Sequence, residues 1–535
     1  MPAMQALENS RLFYFEQMEE LFWTHMGLEM SLSRLNCDPL PLWEAMQQWK
    51  AISLVEVMSR ALGISGEDEI LNDTGISSSS GPNGEARQGL DGLIDQFSTA
   101  QVIGEDDIYA MAEVAKQHLD DKQHIIFVDW VRYYDTLFVA AWNGTTSALR
   151  KRVVEYDYWK IQKWTKENLA VESLQQGQIL RKRLMRIQPL EQLRPILEPI
   201  EGFAKPGDLI VFCPAGILHA LPLHAIPFGP EGKPLIVSNP VIYSASNTLL
   251  WNCVSRASEF KVRSLVDAKA AAIVRLGPND PREEARMENV ANSAMQYFGD
   301  SRVIAGRAAT RAQFLKSAQA VNVLHYHGHA YLEAAERKNR ALVLEEMQEQ
   351  TSRVFNNGHL TTMDIFGLKL DSALVVLLAC ASGEDDIAPN NDPLGMLSAF
   401  FYAGATSVIA TLWPTQTEDA RAFAEKFYAH AFGSLARESS TATKTSVFLA
   451  KALQETVKEM WEERDEDEPY HWAQFELRES GPRTCSQKVI ITDLNLCECD
   501  RWFLVLQLRS LLNYQVVSFI IAVGQIPFEQ SSVLK

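Results

Sequence analysis

The chain has 535 residues, of which 47% are hydrophobic and 22% are charged, a composition typical of a soluble globular protein with two to four domains. Its formal net charge of −18 argues against an anionic nucleic acid as partner and suits a cationic protein surface better. The sequence has neither a run of about eighteen apolar residues nor a basic segment followed by an apolar start, so it predicts no membrane span and no signal peptide.

Residues 1–64 are predicted to form a helical region, because Phe15, Met18, Leu21 and Phe22 recur at helical spacing. This region could be a remnant of a helical-repeat array, although no internal self-similarity supports a repeat. Residues 65–92 are poor in apolar side chains and include a run of four serines. Such a segment cannot bury enough surface to offset the entropy of ordering, so we expect a disordered insertion or linker.

Residues 93–200 are predicted to lead into the main domain with helices and a hairpin. A helix is expected over Asp106–Leu119, and two strands over His124–Trp130 and Thr136–Trp142. From about residue 150 to residue 200 the pattern is highly charged and indicates helices.

Residues 201–480 alternate between short apolar runs and helical patterns, which predicts an α/β fold with a mostly parallel sheet flanked by helices. The expected strands are Leu209–Phe212, Ala271–Val274, Arg302–Ile304, Val321–His325, Ala341–Leu344, Leu374–Leu378, Ser407–Leu412 and Trp472–Leu477. The expected helices are Arg282–Tyr297, Arg311–Ala318, Thr362–Phe366, Leu394–Ala403, Glu418–Phe432 and 446–463. Thr310 is expected to cap one helix at its start, and Gly404 to end another.

The tail, residues 481–535, matches no single structural pattern. It could be an extension, a partner-binding segment or translated non-coding sequence, and its mixed patterning favours the last of these. The seven cysteines of the chain are scattered, which together with the missing signal peptide predicts reduced thiols and a cytoplasmic location.

Two of the apolar runs end abruptly in a reactive side chain followed by small residues. His329 follows one run and Cys380 follows the other. Parallel strands bring their carboxyl ends to one edge of a sheet, so we expect the two side chains to lie side by side as base and nucleophile. Because His325, His327 and His329 alternate, a metal site is an alternative, although no second cluster of ligands accompanies them.

Residues 205–250 and 321–477 resemble the CHAT-domain family, the caspase- and separase-like cysteine peptidases that often follow tetratricopeptide repeats. The resemblance is carried, in order, by Val211–Leu223, Tyr243–Ser246, His325–His329, Ala379–Gly383, Asp392–Ala405, Ser407–Pro414 and Pro469–Phe475. It implies a caspase-like sheet, preceded here by the helical N-terminal region.

The resemblance implies that His329 is the general acid and base and that Cys380 is the nucleophile. The backbone N–H groups of Ala330 and Cys380 would then form the oxyanion hole. Ala330 stands where the family usually has glycine, and alanine resists positive φ. His327 stands where the family usually has a small residue or cysteine, and we interpret it as a space-filling side chain. The acidic residues that follow the cysteine are candidates for a pocket that selects a basic residue: Glu384, Asp385, Asp386 and Asp392.

These observations predict a cysteine endopeptidase that cleaves protein substrates through a histidine–cysteine dyad under the control of a partner or signal. No metal or organic cofactor, no nucleic acid and no membrane are expected to take part. Two alternatives remain: a catalytically silent scaffold with the same fold, and a metal-dependent hydrolase.

Overall fold

The structure of the protein is a computed structural model. It describes Trp43, Met46, Gln47 and Lys50 and then residues 103–116, 118–133, 136–154, 156–169, 174–259, 267–276, 281–331, 341–345, 358–370, 374–379, 382, 386–387, 393–438, 447–464 and 468–478. The predicted linker and tail, and all but four positions of the predicted N-terminal helical region, lie outside the described residues. Those four positions are helical and buried.

The helices are α1 (Glu105–Lys116), α2 (Tyr158–Asn168), α3 (Leu174–Leu184), α4 (Gln188–Glu191), α5 (Leu235–Ser238), α6 (Asn247–Glu259), α7 (Pro281–Met295), α8 (Arg311–Ala318), α9 (Thr362–Phe366), α10 (Met396–Ala403), α11 (Thr417–Glu438) and α12 (Leu449–Glu463). The strands are β1 (Ile125–Tyr133), β2 (Thr136–Asn143), β3 (Ala148–Val154), β4 (Leu209–Cys213), β5 (Pro227–Phe228), β6 (Lys233–Pro234), β7 (Val241–Tyr243), β8 (Lys269–Arg275), β9 (Asp300–Ala305), β10 (Val323–Gly328), β11 (Ala330–Tyr331), β12 (Ala341–Leu342), β13 (Leu360–Thr361), β14 (Leu374–Leu378), β15 (Asp386–Ile387), β16 (Pro393–Leu394), β17 (Val408–Thr411) and β18 (Phe475–Arg478).

One sheet of eleven strands organises the described part of the chain, in the order β3-β2-β1-β4-β7-β18-β17-β14-β10-β8-β9. Adjacent strands are parallel except in the pairs β1–β2, β2–β3 and β17–β18. This confirms the predicted α/β fold with a mostly parallel sheet. Because β17 and β18 are antiparallel, one half of the sheet runs opposite to the other. The strands β17, β14, β10, β8 and β9 run in one direction, and β1, β4, β7 and β18 run in the other.

The helices cover both faces of the sheet, so the central strands are buried on both sides and read as continuous apolar runs. All five residues of β14 are buried, for example. Two helix boundaries are set by local signals, as expected. The Thr310 side chain caps the start of α8 by accepting a hydrogen bond from the Gln313 N–H, and Gly404 ends α10 in the left-handed conformation, with φ of 116°.

The segment from about residue 150 differs from its prediction, because β3 is a strand and not a helix. It is the edge of the large sheet, and Arg150, Lys151 and Arg152 occupy partly or fully exposed positions on it. An edge strand with charged side chains carries little apolar alternation, so its sequence resembles that of a solvent-exposed helix. The helices α2 and α3 follow it, as predicted.

A buried carboxylate ties the N-terminal helical residues to the sheet. Asp129 of β1 is fully buried and accepts hydrogen bonds from Lys50 Nζ at 2.7 Å, Gln47 Nε2 at 3.0 Å and Asn247 Nδ2 at 2.5 Å. The same Lys50 ammonium donates to the carbonyl oxygen of Cys213 at 2.7 Å. Because a buried charge requires such partners, these contacts fix Lys50 and its neighbours against β1 and β4.

Candidate active site

The two strands whose ends were predicted to carry the reactive side chains are neighbours in the sheet. β10 and β14 are parallel, with His325 opposite Val376 and His327 opposite Leu378. His327 and Leu378 are thus paired across the two strands. In the sequence, His329 follows His327 by two residues, and Cys380 follows Leu378 by two residues. The register brings both strand ends to one edge of the sheet, which we call the catalytic edge.

The backbone of His329 is held from two sides. Its carbonyl oxygen lies 2.8 Å from the hydroxyl of Tyr326 and accepts a hydrogen bond from the Val343 N–H at 2.9 Å. Gly328 precedes it, and a Cβ atom at that position would collide with the carbonyl oxygen of Arg275 and with the Tyr326 hydroxyl. Only glycine fits this close approach, so the turn that leads into His329 is fixed by packing.

The His329 side chain is exposed, while the residue before it is buried. The surrounding protein removes part of the solvation of the imidazole, and this desolvation lowers the pKa of His329 below its ordinary value of 6.5. The ring is therefore mainly neutral at pH 7, the state in which it can accept a proton from a thiol.

Ala330, predicted to contribute an oxyanion-hole N–H, opens the short strand β11. The hydrogen bond from Val343 N to His329 O makes Ala330 and Leu342 a non-hydrogen-bonded pair of this antiparallel ladder. The Ala330 N–H consequently points away from β12. Among the described residues, Ser147 is the one non-glycine with positive φ, so the alanine occupies its position without backbone strain.

Cys380 lies outside the described residues, but the residues on either side of it are well anchored. The Ser382 N–H donates to the Ala379 carbonyl at 3.1 Å, and the Ser382 hydroxyl donates to the Leu377 carbonyl at 2.8 Å. Thr411 of β17 donates its N–H to the Ser382 hydroxyl oxygen at 3.1 Å and its own hydroxyl to the Ala379 carbonyl at 2.5 Å. Ala379 and Ser382, which precede and follow this segment, are thus both held by hydrogen bonds to β14 or β17.

The acidic pocket predicted after the cysteine is described at one position. Asp386 belongs to the two-residue strand β15, where it pairs with Leu394 of β16. Asp385 and Asp392 lie outside the described residues, as does Glu384. The pocket therefore stays a prediction.

The three alternating histidines do not share an environment. His325 and His327 are buried, with ring centroids 5.8 Å apart, and Tyr428 Oη lies 3.3 Å from His325 Nδ1. Burial lowers the pKa of His325 to about 3 and also lowers that of His327, so both rings are neutral. Within the described ranges, no three His, Cys, Asp or Glu side chains are arranged to hold a metal ion.

A buried arginine beside the catalytic edge was missed by the sequence analysis. Arg275 ends β8 opposite Gly328, and its guanidinium donates to Glu284 at 3.0 Å and is paired with Glu345. The sequence does show an arginine at the end of the apolar run of β8. It could not show the two carboxylate partners of this arginine, because both belong to other elements. This network holds the end of β8 against α7 and against the segment that follows β12.

Comparison with known proteins gives one family and several structures. The family model of the CHAT domain matches residues 177–480. No curated protein matches the sequence. The crystal structure of the Saccharomyces cerevisiae separase–securin complex is similar over 80% of this chain and 33% of the matched chain, with a TM-score of 0.50 and 10% identity. This chain therefore spans about a third of the length of that relative.

A second similar structure is the Arg-specific cysteine proteinase gingipain R. It matches over 60% of this chain and 73% of its own, with a TM-score of 0.35 and 13% identity.

Among the helices of the described residues, none combines the length and the apolar composition that a membrane crossing requires.

Proposed function

The chain belongs to the CHAT-domain family, and we propose that it is a cysteine endopeptidase that cleaves protein substrates with His329 and Cys380. The observation that carries this proposal is the register of β10 and β14, which brings the ends of both strands to one edge of the sheet. The exposed His329 imidazole stands there as a solvent-accessible base directly after a strand that is buried throughout.

The proposed reaction proceeds through a thioester. His329 takes the proton of the Cys380 thiol while Sγ attacks the carbonyl carbon of the scissile peptide bond. The imidazolium then gives this proton to the leaving amine as the C–N bond breaks. His329 next takes a proton from water, whose oxygen attacks the thioester, and the acid product leaves as the thiol is restored.

The developing oxyanion would be stabilised by the backbone N–H groups of Ala330 and Cys380. The direction of the Ala330 N–H, away from β12, supports this role because the donor is not used by the β-ladder. For the residue before the scissile bond, Asp385, Asp386 and Asp392 would favour a basic side chain through charge complementarity.

Regulation by a protein partner is part of the proposal. The similar yeast structure is a complex of separase with securin, so a protein of this fold is found with a bound partner. In this chain, the contacts of Lys50 and Gln47 with Asp129 tie the N-terminal helical residues to the sheet. A partner that binds the N-terminal region could act on the domain through these contacts.

The experiment compares wild-type protein, Cys380→Ala and His329→Ala on fluorogenic peptides that end in arginine or in aspartate. The proposal predicts cleavage after arginine that is lost in both variants. Cleavage after aspartate would refute the acidic pocket but not the dyad. Native protein that neither cleaves nor reacts at Cys380 with a peptidyl thiol probe would favour a silent scaffold.

A further inference from the structure

The helix α3 carries an unusually basic outer surface for a protein of net charge −18. Arg181, Lys182 and Arg183 form its last turn and Arg186 follows it, and all four are exposed. Between Leu174 and Ile187 the sequence contains no acidic residue. We call the four cations the basic turn.

An exposed apolar residue stands on the same face of the helix. Ile179 is 41% exposed, and Lys182 and Arg183 follow it three and four positions later, the spacing that places side chains side by side on a helix. Leu180 and Leu184, on the other face, are buried and hold α3 on the domain. The exposed face thus combines an apolar contact with positive charge.

The basic turn borders the catalytic edge. With the Gln416 amide oriented so that its oxygen faces the guanidinium, that oxygen accepts hydrogen bonds from Arg181, at 2.7 Å from Nη1. The guanidinium also lies 6.0 Å from the ring centroid of Tyr470. Gln416 follows the end of β17, and β17 is the neighbour of β14, which leads to Cys380.

One extended peptide can contact both places. Adjacent strands are about 4.8 Å apart and an extended chain advances about 3.3 Å per residue, so the step from β14 to its neighbour β17 takes about one to two residues, and Gln416, which contacts Arg181, follows β17 in the chain. A substrate held at Cys380 would therefore present residues of one flank to the basic turn.

We propose that the basic turn of α3, with Ile179, is a binding site for an acidic flank of the protein substrate, within a few residues of the scissile bond. The inference rests on the proposed peptidase function. The cations would pair with carboxylates of the flank and Ile179 would contact one of its apolar side chains. The described acids next to Gln416 and Tyr470 in the chain are Glu418, which is exposed, Asp419, which is buried and paired with Arg464 and His471, and Glu468, which lies 3.7 Å from His471 Nε2. The four cations of the basic turn outnumber these acids. The local electrostatic potential is therefore positive, although the whole protein carries a net negative charge.

Binding is measured separately from catalysis with full-length Cys380→Ala protein. The probe is a fluorescein-labelled peptide with one arginine flanked by six glutamates, and its partner peptide carries glutamines instead. By fluorescence anisotropy we expect the acidic peptide to bind at least tenfold more tightly at low salt, and the difference to shrink as salt screens the charges.

The double reversal Lys182→Glu, Arg183→Glu is expected to weaken binding of the acidic peptide at least tenfold. The neutral double variant Lys182→Gln, Arg183→Gln should weaken it several-fold, and circular dichroism verifies that both are folded. The control reverses two exposed lysines on other elements, Lys269 at the start of β8 and Lys316 of α8, and should change binding less than twofold.

Equal binding of the two peptides, or an equal loss in the control, would overturn the proposal. So would a single-stranded oligonucleotide that binds more tightly than the acidic peptide and is lost on the same reversal. These outcomes do not depend on whether wild-type protein cleaves peptides, so this proposal and the peptidase proposal can fail separately.

Discussion

The hydroxyl of Tyr326 lies 2.8 Å from the backbone carbonyl oxygen of His329, three residues further along the chain. Tyr326 is fully buried under the turn that carries the histidine, and its hydroxyl also lies 2.8 Å from the carbonyl of Val343. A buried side chain therefore sets the position of an exposed one, and this relationship makes the placement of the proposed base testable.

Tyr326→Phe removes this hydroxyl with little change in volume. A neutral hydrogen bond contributes about 0.5–1.5 kcal/mol, so we expect kcat for the arginine peptide to fall about two- to tenfold, with KM nearly unchanged. Tyr428→Phe is the matched control, because it removes a buried tyrosine hydroxyl that faces His325. An equal fall in kcat in the control would show that His329 is not held in the proposed way.

Gly328→Ala should displace His329 more strongly, since the new methyl group would meet the backbone oxygen of Arg275. A displacement of about 1 Å at a catalytic group can cost about 100-fold in rate, so kcat/KM is expected to fall by more than tenfold. Gly104→Ala, where no atom lies within 4 Å of the added Cβ, serves as control and should retain full activity. Unchanged activity of Gly328→Ala would refute the tight turn.

Lys50→Met tests the contact between the N-terminal helical residues and the sheet. It leaves the carboxylate of Asp129 buried without its charge partner, which should lower the free energy of unfolding by about 3–5 kcal/mol. Lys451→Met removes an exposed ion pair with Glu455 and should cost less than about 1 kcal/mol. Urea unfolding compares the two, and Asp129→Asn added to Lys50→Met should recover part of the loss. Equal effects of both single variants would contradict the buried contact.

The buried imidazole of His325 should make the protein sensitive to acid. Its pKa of about 3 in the folded protein lies below the ordinary value of 6.5, so between these pH values the unfolded chain binds one more proton at this site. The free energy of unfolding therefore falls as the pH falls from 6.5 towards 3, by about 1.4 kcal/mol per pH unit for this residue.

His325→Phe removes that dependence while it keeps the site filled. Urea titrations between pH 6 and pH 4 should give a shallower slope than wild type by about 1.4 kcal/mol per pH unit. The variant also leaves the Tyr428 hydroxyl without its 3.3 Å contact, which lowers stability at every pH and does not change the slope. An unchanged slope would contradict a neutral, buried His325.

Local patterns predicted the elements that depend on local physics. The sequence of β14 is apolar throughout, because both of its faces are covered, and its predicted bounds agree with the structure. Thr310 and Gly404 act through their own backbone geometry and were also predicted correctly. The prediction of a helix where β3 lies was wrong, because an exposed edge strand has little apolar alternation. β7, with three residues, is too short to give a periodic signal and was not predicted.

The candidate site was predictable only where it depends on a local sequence pattern. An apolar run that ends in His329 is visible in the sequence, whereas the partners that fix it act across the fold. Arg275 lies 53 residues before Gly328 in the chain and Val343 is part of another strand–loop unit. Alternation placed His325 and His327 on one face but could not reveal that both are buried and that His325 lies against Tyr428.

The most direct test of the dyad is the rate at which a peptidyl-arginine acyloxymethyl ketone alkylates native protein, with the adduct located by mass spectrometry. We expect a single adduct at Cys380, the thiol that the dyad would activate, and a rate at pH 7 that falls more than about 100-fold in His329→Ala. Among the described cysteines, Cys213 and Cys253 are buried. The acid limb of the wild-type rate should have its midpoint below pH 6.5, as the lowered pKa of His329 requires. Alkylation of Cys380 at the same rate in wild type and His329→Ala, or an adduct at another cysteine, would contradict the account.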